Sequence, residues 1–196
     1  MNTLLTLCAV SVTALLAENF VLVNCLGIGT RVEAFRSPVE ALRTGYCLTA
    51  VMVLGALTSW PINRLILEPN GWTHFRLLVF VLLTYFLTTG LRFLLRTCVP
   101  ELSRRVDANL ASLTGNCALL GSALLIAQRS YGLGEGVFFA LFGGLGTTVA
   151  LASFTSLLGE VDLERCPHCF RGVPIRLVTA GLMALSLVGF YGLHLN

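Results

Sequence analysis

The sequence predicts an all-α integral membrane protein, a single membrane domain of six transmembrane helices. Of its 196 residues, 56% are hydrophobic and 12% are charged, which leaves too little polar surface for a water-soluble monomer. The apolar residues form continuous runs of about 20 residues, the length that a helix needs to cross a bilayer. A transmembrane barrel would instead show alternating polar and apolar residues. The predicted spans are Leu4–Ile28, Ala41–Ile62, Phe75–Leu95, Val106–Ala127, Gly134–Leu158 and Ile175–Leu193.

The basic residues predict the orientation of the chain, and all 13 of them are arginines. Ten lie in or beside the first, third and fifth loops, whereas Arg64, Arg76 and Arg129 lie on the opposite side. Positive residues concentrate on the cytoplasmic side of membrane proteins. Both termini are therefore predicted to be periplasmic, in a multi-pass protein of a bacterial inner (cytoplasmic) membrane.

Two halves of the chain, near residues 1–98 and 99–196, show weak similarity to each other. The run Asn19-Phe20-Val21-Leu22 resembles Asn116-Cys117-Ala118-Leu119 at an offset of 97 residues. The run Arg76-Leu77-Leu78-Val79 resembles Arg176-Leu177-Val178 at an offset of 100 residues. Because each half would hold three spans, an odd number, the two repeats must be inverted relative to each other in the membrane.

The first span of each half is interrupted by polar residues. Glu18 and Asn19 interrupt the first span, and Thr114, Gly115 and Asn116 interrupt the fourth. Interrupted helices at matching places in two repeats are typical of a site near the middle of the membrane. The alternative is that these side chains simply form hydrogen bonds with neighbouring helices. Glu18 is either a cation ligand or proton relay within the membrane, or a carboxylate at the interface.

Two cysteines, Cys25 and Cys117, lie next to the interrupted segments. In inverted repeats both thiols could approach the centre of the bilayer, where two thiolates form half of a usual iron–sulfur ligand set. The remaining ligands could come from a similar subunit. The alternative is that both residues are small buried apolar side chains.

One further motif is a weaker candidate for a functional site. Cys166 and Cys169 form a C-x-x-C pair in the fifth loop, which would suit half a zinc site or a redox dithiol. Without a second C-x-x-C, a chance pair or a weak metal contact is favoured. The sequence indicates no catalytic residues, so no catalysis is expected from this chain alone.

Three segments of the chain together form a pattern that is typical of one family of membrane proteins. The first is Glu18–Val23 with Leu26-Gly27, and the second is Thr114–Gly121. The third is Phe170-Arg171-Gly172, which continues into Thr179–Leu185 and Gly189-Phe190. In these segments the chain resembles the RnfA/NqrE family of electron transport subunits. The resemblance extends over nearly the whole chain, and six spans, inverted repeats and outside termini agree with the architecture of that family.

The resemblance implies a membrane subunit of an Rnf-type, ion-translocating electron transport complex. Such subunits pair with a paralogous six-helix subunit of opposite orientation. The pair holds an intramembrane [2Fe–2S] cluster through cysteines on the broken helices. In this chain Cys117 stands at one of the family's ligand positions, and Cys25 is the candidate for the other ligand. Electrons then pass between cofactors on the two sides of the membrane, coupled to movement of Na⁺ or H⁺.

The sequence departs from the family pattern at the first ligand. The family has Cys-Pro where this chain has Gly29-Thr30, and Cys25 lies four residues earlier, about one helical turn. The second ligand is kept as Cys117, although the proline six residues before it is replaced by Ala111. Two alternatives therefore stay open: a non-redox structural subunit that has lost the cluster, and a small secondary transporter with the same inverted repeat.

Overall fold

The computed structural model describes residues 38–98, 117–160 and 172–191, and the regular secondary structure in these ranges is entirely helical. A π-helical turn, Asn63–Leu67, extends the first helix, and a 3₁₀ helix, Trp72–Phe75, precedes the second. The all-α prediction is therefore confirmed for the described residues. The α-helices are α1 (Pro38–Ile62), α2 (Arg76–Cys98), α3 (Cys117–Gln128), α4 (Leu133–Glu160) and α5 (Val173–Tyr191).

Three described segments are long and apolar enough to cross a membrane, and each coincides with a predicted span. They are Pro38–Leu67, Arg76–Phe93 and Leu133–Glu160. The shorter apolar helices α3 and α5 overlap the fourth and sixth predicted spans. The first predicted span lies outside the described residues, so the number of six helices and the inverted repeats stay predictions.

The core lies between α1, α3 and α4, and α4 is the main packing partner of α1. Its largest fully buried side chains include Leu48 and Met52 from α1 and Phe139 from α4, and Ala118 of α3 packs into the same cluster. A second cluster joins α2 to α3, with Phe80 against Ala123 and Ala127. Side chains of α3 that meet these clusters recur along one face of the helix, which holds α3 against its neighbours.

The end of α1 departs from a regular α-helix at Pro61. Proline has no N–H group, so the carbonyl four residues earlier loses its helical hydrogen bond. In the π-helical turn that follows, the amide of Glu68 donates to the carbonyl oxygen of Asn63, five residues earlier, at 3.0 Å. The chain then turns at Gly71, whose φ of +67° is rarely adopted by residues with a Cβ. This turn brings the start of α2 close to the end of α1.

The turn between α3 and α4 is tied to the same end of the bundle. The indole Nε1 of Trp60 donates to the carbonyl oxygen of Tyr131 at 2.9 Å. Glu135 in the first turn of α4 accepts a hydrogen bond from the amide of Gly132 at 3.0 Å, which stabilises the start of that helix. The ends of α1 and α3 and the starts of α2 and α4 therefore lie at one end of the molecule.

Candidate functional site

Cys117, one of the two predicted thiol ligands, is the first residue of α3. Its thiol is free and its side chain is exposed, whereas the neighbouring Ala118 is fully buried. The buried face of α3 thus fixes the backbone beside Cys117 while the thiol faces away from the core. This arrangement leaves the sulfur accessible to a group supplied from outside the described helices.

Cys47 of α1 is the other free cysteine among the residues whose side chains are described. It is half-buried and packs against the core cluster that also contains Ala118. In the described ranges, no group of three or more His, Cys, Asp or Glu side chains is placed to hold a metal ion. A complete ligand set would therefore need residues from elsewhere in the chain or from another subunit.

The other predicted site residues lie outside the described residues. These are Cys25, Glu18 and Asn19 of the first span, together with Thr114 and Asn116 immediately before α3. Gly29, at the position of the family's first ligand, also lies there. Their predicted roles are therefore neither confirmed nor contradicted.

A close polar contact, which was not predicted from the sequence, joins the middle of α1 to the middle of α4. The hydroxyl oxygens of Thr49 and Thr148 lie 3.3 Å apart. Each of these oxygens is also 2.9 Å from a carbonyl oxygen in its own helix, that of Gly45 for Thr49 and that of Gly144 for Thr148. We refer to these four residues as the Gly–Thr contact. Its hydroxyls are buried and satisfied, as buried polar groups in an apolar surrounding must be.

The Gly–Thr contact is reciprocal, since each glycine faces the threonine of the other helix. A Cβ atom added to Gly45 would lie 2.5 Å from Cγ2 of Thr148. One added to Gly144 would lie 2.8 Å from the Cα of Thr49. Thr49 lies four residues after Gly45 on α1, whereas its partner Gly144 lies four residues before Thr148 on α4. The two helices therefore run antiparallel. Small residues allow this close approach of two backbones.

A signal for the Gly–Thr contact is present in the sequence. Gly45 and Thr49 have the spacing G-x-x-x-T, and the same spacing recurs in Gly144 and Thr148, 99 residues later. This offset lies between the offsets of 97 and 100 residues that suggested a repeat. The motif was missed because Gly and Thr are common in membrane helices, and only the contact reveals which of them pair.

Comparison with known proteins gives the same family over almost the whole chain. The family model described as "Rnf-Nqr subunit, membrane protein" matches residues 7–194. The A-type subunit of the ion-translocating oxidoreductase complex of Syntrophotalea carbinolica is 36% identical over 180 residues, which cover 92% of this chain and 93% of that protein. The subunit of the same name from Pectobacterium atrosepticum is 34% identical over 93% of this chain and 94% of its own length.

A third relative carries a more specific name. The A-type subunit of the Na⁺-translocating ferredoxin:NAD⁺ oxidoreductase complex of Acetobacterium woodii is 30% identical over 192 residues. The match covers 98% of this chain and all of that protein. The similarity therefore extends over whole proteins and is not confined to a shared segment.

Proposed function

Because the chain belongs to the Rnf-Nqr family of membrane subunits, we propose that it is the A-type subunit of an Rnf-type, ion-translocating electron transport complex. The observation that carries this proposal is the 36% identity, over 92% of the chain, to the A-type subunit of an ion-translocating oxidoreductase complex. The apolar helices, three of which are long enough to span a membrane, support a multi-pass location. Other subunits of the complex are then its partners, among them a paralogous six-helix subunit.

Within that complex, we propose that Cys117 ligates a [2Fe–2S] cluster shared with the paralogous subunit, and that Cys25 is the second ligand from this chain. The free, exposed thiol of Cys117 on a helix held by its other face fits this role. Two thiols from each chain would supply the four ligands of a cluster that is divided between two subunits. When bound, the cluster supplies one-electron transfer within the membrane. Glu18, Asn19, Thr114 and Asn116 are proposed to line the helix breaks and the ion path beside it.

The proposed architecture is a pair of inverted three-helix repeats, about 1–98 and 99–196. The Gly–Thr contact supports this architecture. A rotation that places α1 on α4 and α4 on α1 would place the Gly45–Thr148 pair on the Gly144–Thr49 pair. A two-fold axis in the membrane plane would pass between Thr49 and Thr148 and relate antiparallel helices. The distribution of arginines supports periplasmic termini and a bacterial inner membrane.

A second candidate function is favoured by one observation at the first family ligand. Gly29 and Thr30 stand where the family has Cys-Pro. A chain that has lost this thiolate could act as a structural subunit without a cluster. The two candidate functions differ in whether Cys117 holds iron.

The two functions are distinguished by the iron content of the purified complex. We expect the substitution Cys117→Ser to abolish the electron paramagnetic resonance signal of one cluster and to remove about two iron atoms per complex, because a hydroxyl is a poor replacement for a thiolate ligand. Cys47→Ser is the matched control, since Cys47 is a free cysteine on a neighbouring helix. It should leave both quantities unchanged.

Unchanged iron in Cys117→Ser, with the complex still assembled, would contradict the cluster proposal and favour the structural subunit. Cys25→Ser in the same assay tests the second ligand. A loss of iron in Cys117→Ser together with normal iron in Cys25→Ser would identify Cys117, and not Cys25, as a cluster ligand from this chain.

A further inference from the structure

A cleft with both polar and apolar walls lies at the end of the bundle where α1 and α3 end and α2 and α4 begin. Its walls include Trp60, Asn63, Arg64, Glu68 and Tyr131. The backbone of Ser130, also in the wall, has a φ of 52°, a left-handed conformation that non-glycine residues rarely adopt. Such conformations recur at ligand-binding positions, where the surrounding structure maintains them. The π-helical turn that contributes Asn63 and Arg64 is likewise a feature frequent at functional sites.

Two buried polar side chains line the cleft, Ser59 and Asn63, and Asn63 is 6% exposed. Its Nδ2 donates to Oε1 of Glu68 at 2.9 Å, and this bond fixes which way the amide faces. No hydrogen-bond donor among the described residues reaches its Oδ1, which is buried. A buried acceptor without a partner costs about 1–3 kcal/mol. The cleft therefore contains an acceptor that a ligand with N–H or O–H groups would satisfy.

The two charged residues of the cleft have opposite signs. Arg64 and Glu68 lie four residues apart, and both are exposed at the cleft while Asn63 is buried. A free anion would meet the carboxylate of Glu68, and a free cation would meet the guanidinium of Arg64. A zwitterion satisfies both charges, with its anionic group beside Arg64 and its cationic group beside Glu68 and Asn63.

The size of the cleft limits the cationic group. Its enclosed part has a cavity volume of about 10 Å³, enough for one water-sized group. A primary ammonium has this size and carries three N–H donors. A trimethylammonium group is larger and has no N–H to donate to Oδ1 of Asn63. The cleft should therefore discriminate between a primary and a quaternary amine.

The position of the cleft suits a membrane lipid. The helical segment Pro38–Leu67 has 30 residues. At 1.5 Å per residue it is about 45 Å long, which exceeds the hydrocarbon thickness of about 30 Å. The segment therefore extends beyond the hydrocarbon core, and the exposed charges of Arg64 and Glu68 favour the lipid headgroups as the level of the end with the cleft. Large apolar side chains are exposed beside the cleft, Leu65 by 70%, Trp72 by 58% and Phe75 by 60%. These side chains are placed to contact acyl chains or the interface.

From these observations we propose that the cleft binds the headgroup of a zwitterionic phospholipid with a primary amine, that is, phosphatidylethanolamine. The ammonium group donates to Oδ1 of Asn63 and pairs with Glu68, and the phosphate pairs with Arg64. The acyl chains lie against the exposed apolar side chains next to the cleft. This site is separate from Cys117 and does not depend on the proposed redox role.

The test uses Trp60 as a reporter in the wall of the cleft. The chain contains two tryptophans, so the variant Trp72→Phe leaves Trp60 as the only one. The purified full-length variant is placed in vesicles of phosphatidylcholine with brominated acyl chains, which quench tryptophan fluorescence. Unbrominated phosphatidylethanolamine, phosphatidylglycerol or phosphatidylcholine is then added, and the recovery of Trp60 fluorescence gives the relative affinity of each lipid.

We expect phosphatidylethanolamine to displace the brominated lipid about tenfold more effectively than phosphatidylcholine, the effect of one charge-assisted hydrogen bond. Asn63→Leu and Glu68→Gln in the Trp72→Phe background should each remove most of this preference. Glu68 is exposed, so its substitution tests the site even if Asn63→Leu prevents folding. Asn70→Ala is the control, because the exposed amide of Asn70 bonds only to the carbonyl of Ile66 in the same turn.

Three results would overturn the proposal. Equal displacement by phosphatidylethanolamine and phosphatidylcholine would show that the cleft does not select a primary amine. Equal displacement by phosphatidylglycerol and phosphatidylethanolamine would show an anion site at Arg64. An unchanged preference in folded Asn63→Leu and Glu68→Gln would show that the preference arises elsewhere on the surface.

Discussion

Helices α2 and α4 are both apolar enough to cross a membrane, but they differ in the fraction of their residues that is buried within the described structure. In the most apolar part of α4, 50% of the residues are buried, compared with 11% in α2. The difference lies in the size of the side chains. The buried positions of α4 include Gly143, Gly144, Gly146 and Thr148, whereas α2 exposes Leu82, Phe86 and Phe93.

This comparison separates two properties that hydropathy alone does not distinguish. Apolar character decides that a helix enters the membrane, because lipid solvates Leu and Phe as well as another helix does. Small residues decide which helix packs against a neighbour, because they allow close contact of the backbones. The other described helices therefore leave the outer face of α2 exposed, and α4 forms the centre of the described fold.

The largest effect is expected where an aromatic side chain is enclosed by this packing. Phe139 of α4 is fully buried, and its ring lies 5.6 Å from that of Tyr131. We expect Phe139→Ala to lower the free energy of unfolding by about 3 kcal/mol, chiefly through the cavity that it leaves. Unfolding by sodium dodecyl sulfate in mixed micelles measures this quantity. Phe86→Ala on α2, where the side chain is 67% exposed, should change it by less than about 0.5 kcal/mol.

Equal effects at these two phenylalanines would contradict the contrast between α4 and α2. The same Phe86→Ala variant also shows what covers α2. If it weakens assembly of the complex while leaving the isolated chain stable, the outer face of α2 contacts another subunit. If assembly is unaffected, that position faces lipid.

A smaller loss is expected from adding one methyl group to the Gly–Thr contact. A Cβ at Gly144 would lie 2.8 Å from the Cα of Thr49, and backbone atoms yield less easily than a side-chain end. We expect Gly144→Ala to cost about 2 kcal/mol in the same unfolding assay. Gly90→Ala on α2 is the matched control, since among the described residues no atom outside the adjacent backbone of α2 lies within 4 Å of its added Cβ. That variant should be as stable as the parent or slightly more so, because glycine is unfavourable within a helix. Equal losses in both variants would mean that the α1–α4 packing is looser than described.

The smallest effect concerns the hydrogen bond between the two helices. Thr148→Val keeps the shape of the side chain but removes the hydroxyl that lies 3.3 Å from that of Thr49. The expected cost is about 0.6 kcal/mol, the mean for such bonds between membrane helices. Thr84→Val on α2 removes a hydroxyl that bonds only to carbonyls of its own helix, those of Phe80 and Val81. The difference between these two variants isolates the bond between helices, and no difference would show that Thr49 and Thr148 interact by shape alone.

The sequence predicted the long helices well because the membrane imposes a simple requirement. Backbone groups in lipid must satisfy one another, so a long apolar run becomes a helix. The predicted span Ala41–Ile62 corresponds to α1 at Pro38–Ile62, and Gly134–Leu158 corresponds to α4 at Leu133–Glu160. The π-helical turn after Pro61 was not predicted, since it depends on how the chain satisfies the carbonyl that the proline leaves without a partner.

The candidate site could be predicted only in part. Cys117 was predicted as a ligand, and its exposed thiol is compatible with that role, although ligation itself stays a prediction. The pairing of Gly45 with Thr148, and of Thr49 with Gly144, required the structure, because residue spacing does not show which helices meet. The cleft around Asn63 was missed for a similar reason. Its walls come from the end of α1, the start of α2, the end of α3 and the turn after α3, and the residues of α1 and α3 are about 60 residues apart in sequence.

The reciprocal form of the Gly–Thr contact has a mechanical consequence. If α1 slides along α4 in either direction, Gly45 leaves Thr148 and Gly144 leaves Thr49 together, so neither pairing can open while the other stays closed. Shear between these helices is therefore opposed at both points at once. Rotation of α1 relative to α4 about the line that joins Thr49 and Thr148 separates neither pair. This rocking motion is therefore opposed less strongly than sliding.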